Sequence, residues 1–108
     1  MPRKKLEEVV DGIYLEPIPI TLGDEIKIKY KGLLADNGAN EIYLHAGFGE
    51  NSWEKIVDIA MDKTKDGGWL TKMNIDQSTS FNFCFHDNAG HWDNNYGHNW
   101  SYQVHQGE

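Results

Sequence analysis

Cysteine and basic residues are scarce in this chain of 108 residues. Its one cysteine, Cys84, excludes an internal disulfide and fits either a reducing compartment or indifference to redox state. The chain has 10 basic residues against 17 acidic ones, so its formal net charge is -7. A ligand with a phosphate backbone needs a basic surface, and this balance therefore argues against nucleic-acid binding.

Long apolar runs are also missing. The N-terminal segment begins with basic residues, but Glu7 and Glu8 interrupt it before any apolar stretch develops. We therefore expect no signal peptide and no membrane-spanning segment. The expected location is cytoplasmic if this is the full chain, and extracellular if it is a module cut from a longer secreted protein. Residues 1–10 are predicted to be a flexible segment, and residues 11–108 a single domain.

Alternation of apolar and polar residues is the main structural signal. In residues 25–31, Ile26, Ile28 and Tyr30 alternate with charged side chains, which is typical of a half-buried antiparallel strand. Residues 55–61 are predicted to be a strand rather than a helix, because a helix would place Asp58 among apolar neighbours. Prolines in residues 12–20 indicate an edge strand or an extended segment. Further strands are predicted at residues 41–46, 69–75, 81–85 and 99–105.

This spacing of short strands and turns predicts an all-β fold. The leading interpretation is an immunoglobulin-like antiparallel β-sandwich of about seven to eight short strands, with a small barrel as the alternative. No segment predicts a helix. Aromatic residues make up 12% of the chain, and they are typical of strands.

Two tryptophans stand in predicted loops, where turn formation does not require them. Trp92 lies at the centre of a loop rich in Asn, Gly and His, and Trp53 ends the loop that follows the strand carrying His45. Loops that leave strands of the same direction gather at one end of a sandwich. The three rings therefore either cap the core or form a platform for a ligand.

A sugar suits such a platform. An indole covers the apolar face of a pyranose, while imidazole or the amides of Asn94 and Asn95 bridge adjacent hydroxyls. Burying roughly 60 Å² per ring gives about 1.5 kcal/mol at ~25 cal/mol/Å², and each hydrogen bond adds about 1 kcal/mol. After the cost of association, this predicts an affinity between roughly millimolar and tens of micromolar.

Two motifs extend this interpretation: LHAGFGENSW, from Leu44 to Trp53, and FNFCFHDNAGHWDNNYGHNWSYQV, from Phe81 to Val104. They resemble the starch-binding carbohydrate-binding modules of family 25 and the related family 53, across most of the chain. The resemblance implies a β-sandwich that binds α-1,4-linked glucan without catalysis and without a cofactor. It implies a platform of His45, Trp53 and Trp92, with hydroxyl contacts from Asn94 and Asn95. Tyr96 and His98 flank the same loop and are predicted as an extension of the site.

The same resemblance bears on partners and location. Such modules are normally tethered to an amylase or synthase, so the extracellular option is a module excised from a secreted amylase. The ligand is predicted to be starch, glycogen or malto-oligosaccharides. The alternative hypothesis is a protein-interaction module that docks on, or regulates, a glycogen- or starch-metabolising enzyme.

Other functions are less well supported by the residues. A glycoside hydrolase needs two carboxylates in a cleft, and we expect Glu50, Glu54 and Asp93 to be surface charges. Histidines and acids are dense between His86 and His98, but their spacing matches no zinc pattern, and the calcium-like start at Asp93 does not continue. The sequence therefore predicts no catalytic residues and no metal ligands.

Overall fold

The described residues form two antiparallel sheets and one short helix. The computed structural model describes residues 7–10, 12–50, 53–95, 97 and 99–106. The described strands are β1 (Glu7–Val10), β2 (Ile13–Glu16), β3 (Glu25–Tyr30), β4 (Ile42–Phe48), β5 (Glu54–Ala60), β6 (Asp62–Lys63), β7 (Trp69–Asn74), β8 (Ser80–Asp87), β9 (Trp92–Asp93) and β10 (Trp100–Gln103). The helix α1 spans Leu33–Asp36. No described helix is long and apolar enough to span a membrane.

The two sheets pack face to face as a β-sandwich. The first sheet has the order β1-β2-β3-β7-β6, and the second has the order β10-β8-β4-β5, with β9 also paired to β8. This confirms the predicted antiparallel β-sandwich. More strands are described than the seven to eight predicted, because the pairing includes short strands such as β6 and β9, of two residues each.

The core lies between the sheets and follows the period-two alternation of their strands. On β3, Ile26, Ile28 and Tyr30 are fully buried, and Tyr30 stacks on Phe85 of the facing sheet at 4.1 Å between ring centroids. Phe81, Phe83 and Phe85 of β8 are likewise fully buried. Every second side chain of these strands therefore points away from the core, onto an outer face.

Three local predictions can be compared with the structure. The segment around Asp58 is the strand β5, as predicted. Residues 12–20 were predicted to be an edge strand or an extended segment. Ile13–Glu16 forms the strand β2, and it is not an edge strand, because it pairs with both β1 and β3. Pro17 and Pro19 follow the end of β2 and so remove no donor from its ladder. The expectation of no helix is wrong: one turn of helix places Leu34 in the core.

The N-terminal segment is partly described. Glu7–Val10 pairs with β2 as a strand, within the range predicted to be flexible, and residues 1–6 lie outside the described residues. The domain boundary at residue 11 stays a prediction. At the other end, a parallel bridge joins Thr21 to His105, so the segment after β10 lies beside the segment before β3.

Candidate functional site

The outer face of the second sheet brings together three rings that are far apart in sequence. His45 points outward from β4, since its neighbours Leu44 and Ala46 are buried. Its ring centroid lies 5.6 Å from that of Trp53 and 5.2 Å from that of Trp92. His45, Trp53 and Trp92 are called the platform rings below. The structure therefore places the three predicted platform residues at one surface.

The position of Trp53 depends on a glycine and a β-bulge. Ala46 pairs with Val57 and Phe48 with Glu54, so β5 has one more residue than β4 in this interval. A Cβ atom on Gly47, the next outward position after His45, would lie 3.0 Å from the Cβ of Trp53. Gly47 thus lets the Trp53 side chain lie close against the strand and next to His45.

The position of Trp92 depends on two aspartates. Oδ1 of Asp87 accepts hydrogen bonds from the backbone N–H groups of Ala89 and His91, at 2.9 and 2.8 Å, and so shapes the tight loop before β9. Asp93 accepts a hydrogen bond from the Tyr30 hydroxyl, which ties β9 to the core strand β3. Burial and this bond to Asp93 both raise the pKa of Tyr30 far above its usual value, so the hydroxyl stays protonated.

A ladder of stacked rings supports Trp92 from one side. The Trp92 and His86 ring centroids are 4.4 Å apart with 31° between the planes, and His86 in turn stacks on Tyr43 at 5.1 Å and 27°. These residues are opposite one another on β9, β8 and β4. One face of the Trp92 indole is therefore covered, although half of the residue's surface remains exposed.

A single carboxylate connects the two histidines of this face. Oδ1 of Asp58 lies 2.8 Å from Nδ1 of His45 and 2.8 Å from Nε2 of His86. Burial raises the pKa of Asp58, but the hydrogen bonds from His45 and His86 together outweigh it, and the net effect is a pKa below the usual range. A carboxylate can only accept, so Nδ1 of His45 carries a proton and its Nε2 is left to accept or donate elsewhere.

Asp58, His86 and Tyr43 are absent from the residues predicted for the site. The available signal was the alternation of β4, β5 and β8, which places all three on outer faces. Alternation alone cannot say which outward residues are opposite one another, because that depends on register. The observed register pairs His45 with Asp58, and Tyr43 with His86.

The platform rings do not form a flat surface. The planes of His45 and Trp53 are inclined by 31°, whereas those of His45 and Trp92 are inclined by 88°. The two indole planes must therefore be inclined by at least 57°, the difference between these angles. The three rings therefore form an angular surface rather than one plane.

The predicted asparagines adjoin Trp92 but not the other two platform rings. Trp92, Asn94 and Asn95 line one cleft of about 710 Å³ beside α1. Oδ1 of Asn94 accepts a hydrogen bond from the Gly97 backbone N–H at 2.9 Å, and its amide N–H groups have no acceptor among the described residues. Asn95 has φ 56° and donates through Nδ2 to the Asn99 carbonyl at 3.0 Å, so it also shapes the turn. Tyr96 and His98 lie outside the described residues.

The residues considered for a hydrolase or for a metal site between His86 and His98 form hydrogen bonds with other groups or lie apart. Glu50 accepts a hydrogen bond from Ser80, Asp93 accepts one from Tyr30, and Glu54 is exposed on β5. Asp87 pairs with His91, whereas His86 contacts Asp58 instead. Cys84 is buried, and its burial raises its pKa to about 11, so the thiol is a poor nucleophile at neutral pH.

The fold and this outer face define a β-sandwich with aromatic and histidine rings exposed on one sheet. The chain matches the model of the starch/carbohydrate-binding module family 53 over residues 26–83, more than half of its length. The chain belongs to this family. The predicted resemblance to families 25 and 53 is thereby confirmed.

Two individual proteins are also similar. An α-amylase of Clostridium acetobutylicum is 36% identical over 80 residues, which cover 73% of this chain and 10% of the amylase. The chain thus spans about a tenth of that relative's length. The solved structure of an iodinated family 25 module from a Bacillus halodurans amylase matches with a TM-score of 0.56 and 21% identity, covering 78% of this chain and 87% of that one. This second likeness supports the β-sandwich fold.

Proposed function

We propose that this chain binds α-1,4-linked glucan (starch, glycogen or malto-oligosaccharides) without catalysing a reaction on it. The observation that carries the proposal is the meeting of His45, Trp53 and Trp92 on one outer face, within 5.6 Å of ring-centroid distance from the central histidine. Membership of a starch/carbohydrate-binding module family supports carbohydrate as the ligand class. Stacking of glucose rings on the two indoles supplies most of the binding free energy.

The inclination of the two indoles supports α-linked over β-linked glucan. A β-1,4 chain is flat and ribbon-like, and consecutive sugars would stack on rings that are close to parallel. An α-1,4 chain curves, so neighbouring glucose units turn their apolar faces in different directions. Indole planes inclined by 57° or more fit such a curved chain.

Hydrogen bonds then fix the sugar hydroxyls. Asp58 accepts the proton of His45 Nδ1 and so orients the ring, which leaves Nε2 to form a hydrogen bond with a sugar hydroxyl. The amide of Asn94 donates on the side of Trp92, and Asn95 contributes mainly by shaping the turn. Each hydrogen bond contributes about 1 kcal/mol, which keeps the expected affinity in the range from millimolar to tens of micromolar.

The expected biological setting is that of an enzyme-attached module. The two proteins compared above are an amylase and a module of an amylase. They support the extracellular option, in which the chain acts as a part of a secreted amylase and brings it to its polysaccharide. A partner enzyme that the module docks on remains the alternative hypothesis.

The test is calorimetric titration with maltoheptaose, with cellohexaose as the β-linked comparison. We expect saturable binding of the α-glucan alone, weakened about tenfold or more in Trp92→Ala, since about 1.4 kcal/mol corresponds to a tenfold change. Tyr14→Ala is the matched control, because Tyr14 is an aromatic residue of β2 in the other sheet. Wild-type protein that gives no heat at millimolar maltoheptaose would overturn the proposal and favour the interaction module.

A further inference from the structure

His45, Asp58 and His86 form a compact group of metal-ligand atoms, called the His–Asp–His cluster below. Nδ1 of His45, a carboxylate oxygen of Asp58 and Nε2 of His86 all lie within 4.8 Å of one another. Adjacent strands β5, β4 and β8 carry them, so a sheet rather than a mobile loop holds their spacing. We propose that this cluster, which shares His45 with the platform rings, binds a divalent transition-metal ion such as Zn²⁺.

The ligand set has the right chemistry for such an ion. Two imidazole nitrogens and one carboxylate oxygen suit Zn²⁺, Co²⁺ or Ni²⁺, and water completes the coordination. The two present N···O distances are 2.8 Å. They are hydrogen-bond distances, and an ion at about 2.0–2.2 Å from each atom takes the place of the two shared protons. A small outward shift of the half-exposed Asp58 side chain makes this room.

The two partners of His86 are compatible with a metal ion on Nε2. Nε2 faces the carboxylate of Asp58 at 2.8 Å, and Nδ1 faces the backbone carbonyl oxygen of Asp87 at 3.3 Å. Both partners can only accept, so Nδ1 needs a proton, and Nε2 needs either a second proton, as in the imidazolium form, or a metal ion in its place. With a metal on Nε2, the single proton sits on Nδ1 and points to the carbonyl, which is the usual outer contact of a metal-bound histidine.

Accessibility and charge also favour an ion. The side chains of His45 and His86 are 24% and 19% exposed, and that of Asp58 is 51% exposed, so the cluster is sheltered but open to solvent on one side. Oδ2 of Asp58 accepts no hydrogen bond from the described residues and is available as a further ligand atom. The formal net charge of -7 attracts cations to the surface.

The ion would act on the platform through His45. Coordination removes the proton from Nδ1 and leaves it on Nε2, so that His45 presents a donor instead of an acceptor to a ligand. It also fixes the imidazole planes of His45 and His86, on which the orientation of Trp92 depends. The metal is thus a structural ion of the binding face and has no catalytic part.

The first experiment titrates the protein, free of any polyhistidine tag, with Zn²⁺ by calorimetry and with Co²⁺ by absorption spectroscopy. We expect one equivalent to bind, and Asp58→Asn and His86→Gln each to weaken binding by about tenfold or more. His91→Gln is the matched control. His91 also contacts an aspartate, Asp87, at 2.9 Å, but no second histidine contacts that pair among the described residues. Its affinity for Zn²⁺ should equal that of wild type.

A second measurement needs no variant. In an NMR titration of wild-type protein with Ni²⁺, paramagnetic broadening should start at the amides of His45, Asp58 and His86. Broadening centred on His91 or His105, unchanged Zn²⁺ affinity in Asp58→Asn, or no saturation at millimolar Zn²⁺ would each overturn the proposal. No glucan enters these experiments, so their failure is separate from a failure of glucan binding.

Discussion

At the scale of single residues, the missing Cβ atom of Gly47 allows Trp53 to lie close to the sheet. Its missing Cβ leaves space that the Cβ of Trp53, the carbonyl of Glu54 and the side chain of Ile56 occupy from three sides, with distances of 3.0, 3.2 and 3.3 Å to the vacant position. Contacts as short as 3.0 Å require a neighbour to move. A methyl group at this position therefore displaces the indole or the bulged segment of β5.

We expect Gly47→Ala to weaken maltoheptaose binding by about tenfold while the protein stays folded, because the displaced Trp53 loses roughly 1–1.5 kcal/mol of stacking. Calorimetry gives the affinity, and near-ultraviolet circular dichroism reports the new tryptophan environment. The matched control is Gly38→Ala, where no atom lies within 4 Å of the added Cβ and the cost is only the strained φ of 80°. An unchanged affinity in Gly47→Ala would show that Trp53 needs no close approach to the strand.

The three platform residues were predicted from sequence, whereas their supports were not. His45, Trp53 and Trp92 are large or planar groups in unexpected places, and their motif adds a family resemblance. Asp58 and His86 look like ordinary outward residues of strands. Their importance comes from the register that sets Asp58 opposite His45 and His86 beside Trp92, and register is a property of pairing rather than of one segment.

Among the elements that carry the site, β9 is the shortest, so it depends most on its neighbours for support. It has two residues, Trp92 and Asp93, and among the described strands it pairs with β8 alone. The Tyr30 hydroxyl donates a hydrogen bond to Asp93 and accepts one from the backbone N–H of Leu34 at 2.9 Å. One core tyrosine thus joins β3, α1 and β9, so a substitution of Tyr30 in the core affects the position of Trp92 on the outer face.

We expect Tyr30→Phe to lower the free energy of unfolding by about 2 kcal/mol, because the Asp93 carboxylate and the Leu34 N–H both lose a partner. Glucan binding should weaken as well, since Trp92 is the neighbour of Asp93. Urea denaturation and calorimetry measure the two effects. Tyr102→Phe is the control, because the half-buried Tyr102 hydroxyl has no hydrogen bond among the described residues and should change stability by less than about 0.5 kcal/mol.

The longest strands show a clear pattern in the sequence, whereas several of the shortest elements show none. β3, β4, β7 and β8 have six or more residues and a clear alternation, and all four were predicted. β6, β9 and α1 have two to four residues, too few for a period to be visible. Such elements form because neighbours hold them in place, as β8 holds β9, and that tertiary support leaves no local pattern in the sequence.

For the whole molecule, the two outer faces of the sandwich have different chemistry. The outer face of β3 carries Lys27 and Lys29, and Lys29 forms an ion pair with Asp66 at 2.6 Å. The outer face of the second sheet carries the platform rings and the His–Asp–His cluster. Both sheets share one core, so the proposed binding and the folding depend on opposite sides of the same strands.

This arrangement predicts that binding can be removed while the fold is kept. In the double variant Trp53→Ala/Trp92→Ala, we expect maltoheptaose binding to disappear and the free energy of unfolding to fall by no more than about 2 kcal/mol, since neither ring lies between the sheets. Phe85→Ala should cost about 3–5 kcal/mol, because Phe85 is fully buried against Tyr30. Urea denaturation of the three proteins measures the difference. A loss of 4 kcal/mol or more in the double variant, by the same scale, would mean that the indoles cap the fold, and their presence on the surface would no longer support a binding platform.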